Sequence, residues 1–179
     1  MKSVLISIKT KYVELIANGE STIEVRKSAP KEVPFKAYIY ETKDATEMPW
    51  VDEDGHFIYK GRGQVIGEFI CNKVEVFSVG ILRCDDIEKL ACLSYTEMIN
   101  YFYKPEELDG NTAKFGYAWH ISDLKIYGEP KELSEFKRWN RTEENAPCAH
   151  TKWLYPDCKD CKACNLTRPP QSWCYVEEL

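Results

Sequence analysis

Apolar and polar positions alternate along most of the chain, in runs too short for long helices. "VLISIK" (4–9) alternates and is rich in β-branched residues, which predicts a strand. Thr10 then stands as an N-cap for "KYVELIANG", in which Val13, Ile16 and Ala17 share one helical face and Gly19 supplies the left-handed stop. "TIEVRK" (22–27) returns to alternation, sending Ile23, Val25 and Lys27 to one side and Thr22, Glu24 and Arg26 to the other. Pro30 and Pro34 bracket a loop before the strand "FKAYIYET" (35–42), and the polar stretch 43–63 reads as a long excursion between strands. "QVIGEFICNKVEVFSV" (64–79) predicts one long β segment, with a bulge or bend at Gly67. Two helices are expected over 85–109, the first capped by Asp85 or Asp86 and the second by Ser94 or Thr96. "YAWHISDLKIYG" (117–128) is β again, and Pro130 in "GEPKELSEF" signals a boundary.

This order predicts an α+β domain over residues 1–128, its strands numerous and short enough to close into a small β-barrel with flanking short helices. Residues 129–179 are expected to form a separate C-terminal Cys-rich extension. A chain of 179 residues suits one domain with an appendage, and 44% hydrophobic residues exclude a disordered chain. Aromatics at 13% exceed what a plain core needs, a surplus that suits stacking. No run reaches membrane-span length and the N-terminus lacks a signal-peptide pattern, so the expected location is cytoplasmic, with no membrane partner. Thiols stay reduced there, so the eight cysteines are expected as buried residues and metal ligands rather than disulfides.

The net charge of −5 argues against a general polyanion binder. Its distribution changes that picture locally. Residues 1–43 hold eight basic against five acidic residues, a net +3, whereas residues 44–128 hold eight against fifteen. A site for an anionic ligand therefore belongs near the N-terminal segment.

"LISIKTKYVELIANGESTIEVRK" resembles the opening of ASCH-domain proteins, small β-barrels of the PUA-like superfold with a strand, a helix and then G-x-K-x-x-E-x-R. The pattern falls on Gly19, Ser21, Glu24 and Arg26, and "YIYET", "GQVIGEF" and "YAWHISDLKIY" are similar to later strands of the family. The tail "LTRPPQSWCYVEEL" resembles extensions on ASCH proteins of phages and mobile elements. In relatives that remove the acetyl group from N4-acetylcytidine, the lysine and a threonine three residues later carry the chemistry. Ser21 and Glu24 stand at those positions here. A serine needs a nearby base to become nucleophilic, so the resemblance implies binding rather than that hydrolysis.

The resemblance implies that Glu24 and Arg26 line a cleft, where Arg26 offers planar recognition of a phosphate or base edge and Glu24 accepts from an exocyclic amine. Without it, the pair reads as surface decoration. Lys9 and Lys11 flank the strand–helix junction and are candidates for phosphate contact or plain exposed lysines. Tyr40 is a candidate for base stacking, although most strand tyrosines pack. Trp119 and His120 point to opposite faces, and Glu68 is a further candidate carboxylate. The expected ligand-binding set is Lys9, Ser21, Glu24, Arg26 and Tyr40, with Glu24 the acid/base group if the protein is an enzyme.

In the tail, Cys158, Cys161 and Cys164 form C-x2-C-x2-C, with Cys148 and His150 upstream and Cys174 downstream. Two thiolates at C-x2-C spacing reach one ion from a tight turn, which points to structural zinc on Cys148, Cys158, Cys161 and Cys164, with His150 and Cys174 in reserve. An iron–sulfur cluster is the minority reading of the same spacing. The expected function is noncatalytic, regulatory binding of RNA or a nucleotide, with DNA as the second nucleic-acid candidate. The alternatives are an amidohydrolase or ribonuclease working through Glu24 and Arg26, and a protein-interaction module centred on the zinc tail.

Overall fold

The computed structural model describes residues 1–43, 50–51, 57–58, 61–80, 85–107, 113–139 and 165–179. The N-terminal alternating run is β1 (Lys2–Lys9), followed at once by α1 (Thr10–Ala17) and, after the Gly19 turn, by β2 (Ile23–Arg26). β3 spans Phe35–Thr42, and within the excursion Trp50–Val51 (β4) pairs with Phe57–Ile58 (β5). The expected long β segment is two strands, β6 (Val65–Cys71) and β7 (Val74–Val79), and α2 (Asp85–Ala91) and α3 (Tyr95–Phe102) follow. Lys114–His120 is β8, Ser122–Lys131 is β9 and Trp173–Val176 is β10.

Among the described residues the expected barrel is replaced by open sheets. One has the order β10-β1-β3-β6-β9 and the other β2-β8-β7, and neither closes on itself. The two long alternating runs each divide between these sheets: β6 and β9 belong to the larger, β7 and β8 to the smaller. Period-2 alternation reports that a strand is half-buried but not which sheet it joins, so a break at Asn72-Lys73 or Ile121 leaves no mark in the pattern. Gly67 is a site of close approach. A Cβ there would lie 2.6 Å from the Lys125 carbonyl oxygen on the neighbouring strand.

The chain divides into two compact units that interleave in sequence: residues 1–10, 36–68 and 125–179, and residues 11–35 and 69–124. The core of the first contains Leu5, Tyr38, Tyr40, Val65, Phe136, Leu166 and Val176, with Tyr38 and Phe136 edge to face at 5.0 Å. Residues 165–179 are thus part of this unit rather than an appendage. β10 pairs antiparallel with β1 from Ser3↔Val176 to Ile6↔Trp173, Ser7 Oγ donates to the Pro170 carbonyl at 2.7 Å, and Lys36 meets Glu178 at 2.8 Å. The expected boundary after residue 128 falls inside β9. Pro130 is tolerated there because β9 is an edge strand, where a missing N–H costs no ladder bond.

In the second unit, one face of the β2-β8-β7 sheet carries Ile23, Val25, Ala118, Phe77 and Val79 into a core with Ile87, Ala91, Met98 and Phe102 of α2 and α3. α3 starts at a capping box: Ser94 accepts from the Glu97 N–H, and the Glu97 carboxylate accepts from the Ser94 N–H at 2.9 Å. Gly116 lets the sheet approach these rings, since a Cβ would lie 2.4 Å from Phe77 and 2.8 Å from Phe102.

Cys148, His150, Cys158, Cys161 and Cys164 lie outside the described residues. Cys174 sits on β10 opposite Leu5, packed against the core, and burial pushes its thiol up, which disfavours the thiolate a metal needs. Among the described residues no group of three or more His, Cys, Asp or Glu side chains is placed to hold a metal, and no helix is long and apolar enough to cross a membrane.

Candidate functional site

β2 is an edge strand of the second unit, and its entry is fixed by backbone geometry. Gly19, at φ 73°, ends α1 in the left-handed region, where a side chain would be strained. Ser21 is buried beyond it, its Oγ donating to the Ile23 carbonyl at 3.0 Å and facing the Leu90 carbonyl at 3.4 Å. Its hydroxyl hydrogen is thus committed to main-chain acceptors rather than to a base. Ser21 holds the turn that starts β2.

From that turn the alternation sends Glu24 and Arg26 to the face opposite Ile23 and Val25. Arg26 Nε lies 3.0 Å from Glu24 Oε1, and the two side chains are only 8% and 12% exposed. Burial raises the Glu24 pKa above its ordinary value, and the Arg26 guanidinium opposes that shift without reversing it. Tyr101 of α3 bonds to the Arg26 side chain and the Lys27 backbone, and burial raises its pKa too. The Lys27 ammonium stands 5.1 Å from the Tyr101 ring centroid. Tyr101 was not among the expected site residues. Its place in "EMINYFY" marks only a helical aromatic, and nothing in that pattern says which strand it meets.

Lys11 of α1 is ion-paired with Glu97 at 2.5 Å, with Tyr12 Oη 3.5 Å from the same oxygen. The Lys11 hydrogen bond, aided by the Ser94 cap, pulls the Glu97 carboxyl down to about 2. Lys11 therefore already has an anion. Lys9 and Tyr40 belong to the first unit: Lys9 is exposed at the end of β1, and Tyr40 is buried in the core, 6% exposed, so its ring has no open face for a base. Glu68 accepts from Tyr127 Oη at 2.5 Å.

His120 and Trp119 do face opposite ways. Trp119 is fully buried against Phe35, the rings edge to face at 5.0 Å. His120 lies 3.4 Å from a Glu75 carboxylate that Lys73 already holds at 2.9 Å, and the hydrogen bonds to Glu75, that of Lys73 foremost, lower its pKa. The three line a cavity of about 380 Å³ with Asp86, Ile87, Lys89 and Leu90. Its charges are mixed and its histidine is engaged, so it offers neither a metal cradle nor a strong anion site.

The interleaved units, the open sheets and the β1-α1-β2 start carrying Glu24 and Arg26 define a mixed α+β protein. No family model and no curated protein matches the sequence. Among solved structures, the chain is similar to ASCH from Zymomonas mobilis at 18% identity and a TM-score of 0.58, over 99% of this chain and 89% of that one. Two mutants of that protein, a tyrosine-to-phenylalanine and a serine-to-alanine form, match at 17% identity and the same TM-score, covering 92% and 89% of their chains. The fold is the ASCH fold, over nearly the whole chain.

Proposed function

We propose that this protein binds single-stranded RNA or a nucleotide at the Glu24–Arg26 surface of its second unit and does so without turnover. The observation that carries the reading is the nearly buried Glu24–Arg26 pair, joined by Tyr101 and flanked by Lys27. It combines a planar cation, an acceptor, a ring and a peripheral positive charge within one strand and one helix. The ASCH fold supports the same direction, because the domain family is associated with RNA binding. Ser21 supports the absence of catalysis, since its hydroxyl faces carbonyls instead of a base.

Fluorescence anisotropy with single-stranded RNA, duplex RNA and DNA across a salt series tests this. Phosphate contact predicts that log K falls linearly with log salt, with a slope of about −0.7 per neutralised phosphate on a single strand, and that Lys27→Ala makes the slope shallower by about that amount. Affinity indifferent to salt would remove Lys27 and Arg26 from any phosphate role.

One observation favours hydrolysis as a second reading. A carboxyl held above its ordinary pKa is suited to donate a proton, and Glu24 is such a group. That reading requires product from an acylated nucleoside or RNA, and its loss in Glu24→Gln with binding retained. A regulatory role in a phage or mobile element, a cytoplasmic location, and structural zinc on Cys148, Cys158, Cys161 and Cys164 complete the proposal, each supported by sequence pattern alone.

A further inference from the structure

"FGYAW" (115–119) places three aromatic residues at alternate positions of β8, the central strand of the three-stranded sheet. The register puts Glu24 opposite Trp119 and Arg26 opposite Tyr117, and on the other side Val76 opposite Tyr117 and Ser78 opposite Phe115. Directly opposed residues of an antiparallel pair share a face. Phe115, Tyr117, Trp119, Val76, Glu24 and Arg26 therefore lie on one face, and the helices α2 and α3 pack on the other. Exposure rises along the strand: Trp119 is sealed under Phe35, Tyr117 is half-buried, and Phe115 is 61% exposed beside Val76 at 57%.

We infer that this open end of the sheet is a stacking platform for the bases of single-stranded RNA, continuous with the Glu24–Arg26 pair; the inference rests on the binding function proposed above. Phe115 and Tyr117 are two strand residues apart, about 7 Å, a spacing that successive nucleotides of an unstacked strand span. Aromatic rings on an open sheet face take bases without regard to sequence, because every base has a π-face. The size of the patch selects the occupant. With roughly 200 Å² for each fully buried ring, the open parts of Phe115, Tyr117 and Val76 amount to roughly 300 Å², far below the roughly 800 Å² per partner of a stable protein interface. Two bases need no more. The Arg26 row then orients the strand: bases run from Phe115 over Tyr117 toward the guanidinium.

The test uses the full-length protein and a fluorescein-labelled single-stranded RNA of about ten nucleotides, alongside an abasic oligonucleotide with the same phosphates. Phe115→Ala is expected to weaken binding of the base-bearing RNA by about 5- to 150-fold with the salt slope unchanged, Phe115→Trp to retain it, and the abasic strand to bind wild type and Phe115→Ala alike. Circular dichroism of Phe115→Ala should match wild type, because an exposed ring contributes little to the core. If wild type binds the RNA and Phe115→Ala binds it equally, the platform is wrong and the wider binding function stands. If wild type binds no RNA at all, the binding function itself fails and takes the platform with it. A wild-type dimer that Phe115→Ala converts to monomer in sedimentation equilibrium would make the patch a contact between copies, overturning the inference.

Discussion

Replacing Arg26 should make the stability of the second unit depend strongly on pH. With its side chain 8% exposed and its guanidinium 3.0 Å from Glu24, replacement by methionine keeps the apolar stem but leaves a carboxyl 12% exposed and without its cation. Breaking a buried pair on one side costs about 3–5 kcal/mol, a large share of the roughly 5–15 kcal/mol that holds a domain folded. The loss should depend on pH. Glu24 already has a folded pKa above 4.5, so its contribution is most favourable below 4.5 and diminishes as pH rises through the folded value. Removing Arg26 deletes the interaction that lowers that pKa, pushing it further up and widening the window of lost stability. In urea unfolding, Arg26→Met should therefore cost about 3–5 kcal/mol near neutral pH and much less near about pH 4, where the carboxyl is protonated and neutral. Glu24→Gln combined with Arg26→Met should recover most of the neutral-pH loss, because no charge is then left buried. A cost below about 1 kcal/mol at both pH values would mean that solvent screens the pair, refuting both the energetic argument and the desolvated site built on it.

Three further outcomes follow from local geometry. Glu97→Ala removes the carboxylate half of the capping box and the Lys11 pair while the Ser94 hydroxyl still accepts from the backbone N–H of position 97, so it should cost about 0.3–1.5 kcal/mol from the box plus a few tenths from the exposed ion pair. Because the folded Glu97 pKa is about 2 against 4.5 for the free group, that contribution is present above pH 4.5 and is lost as pH falls through about 2, which urea midpoints across acid pH would trace. Gly116→Ala drives a methyl into Phe77 and Phe102 and should destabilise by about 1–3 kcal/mol, measured by thermal unfolding; an unchanged Tm would contradict the close approach of sheet and helix. Elemental analysis of the purified full chain should find one zinc per chain, reduced by Cys158→Ser with Cys161→Ser. Full zinc retention in that variant would exclude the C-x2-C-x2-C ligand set.

Much of the local structure was legible because its signals are short-range. Gly19 at the end of α1, the Ser94 capping box and the alternation of "TIEVRK" each act within a few residues, and those elements form where their residues direct. Thr10 departs from its expected role: it is the first residue of α1 rather than the cap before it, and its buried hydroxyl makes no capping bond. The face assignment of Glu24 and Arg26 followed from the same period of two. Tyr40 shows the limit of that logic. Alternation marks a strand position, but burial among Tyr38, Val65 and Phe136 comes from strands far apart in sequence. Ser21 shows it again: residue type suggested a ligand contact, and hydrogen bonding to backbone carbonyls made it part of a turn.

The sequence by itself determined the β1-α1-β2 opening, the location of most strands and helices, and the presentation of Glu24 and Arg26 on one side of β2, because dihedral preference, capping and side-chain period are local properties of the chain. The tertiary structure alone decided that the long β runs divide between two open sheets, that residues 165–179 complete the first unit, and that Tyr101 reaches Arg26. It also decided which of the alternating rings of β8 are sealed and which stay open. Those outcomes depend on which distant surfaces bury each other, and a hydrophobic pattern states only that a face must be covered, not what covers it.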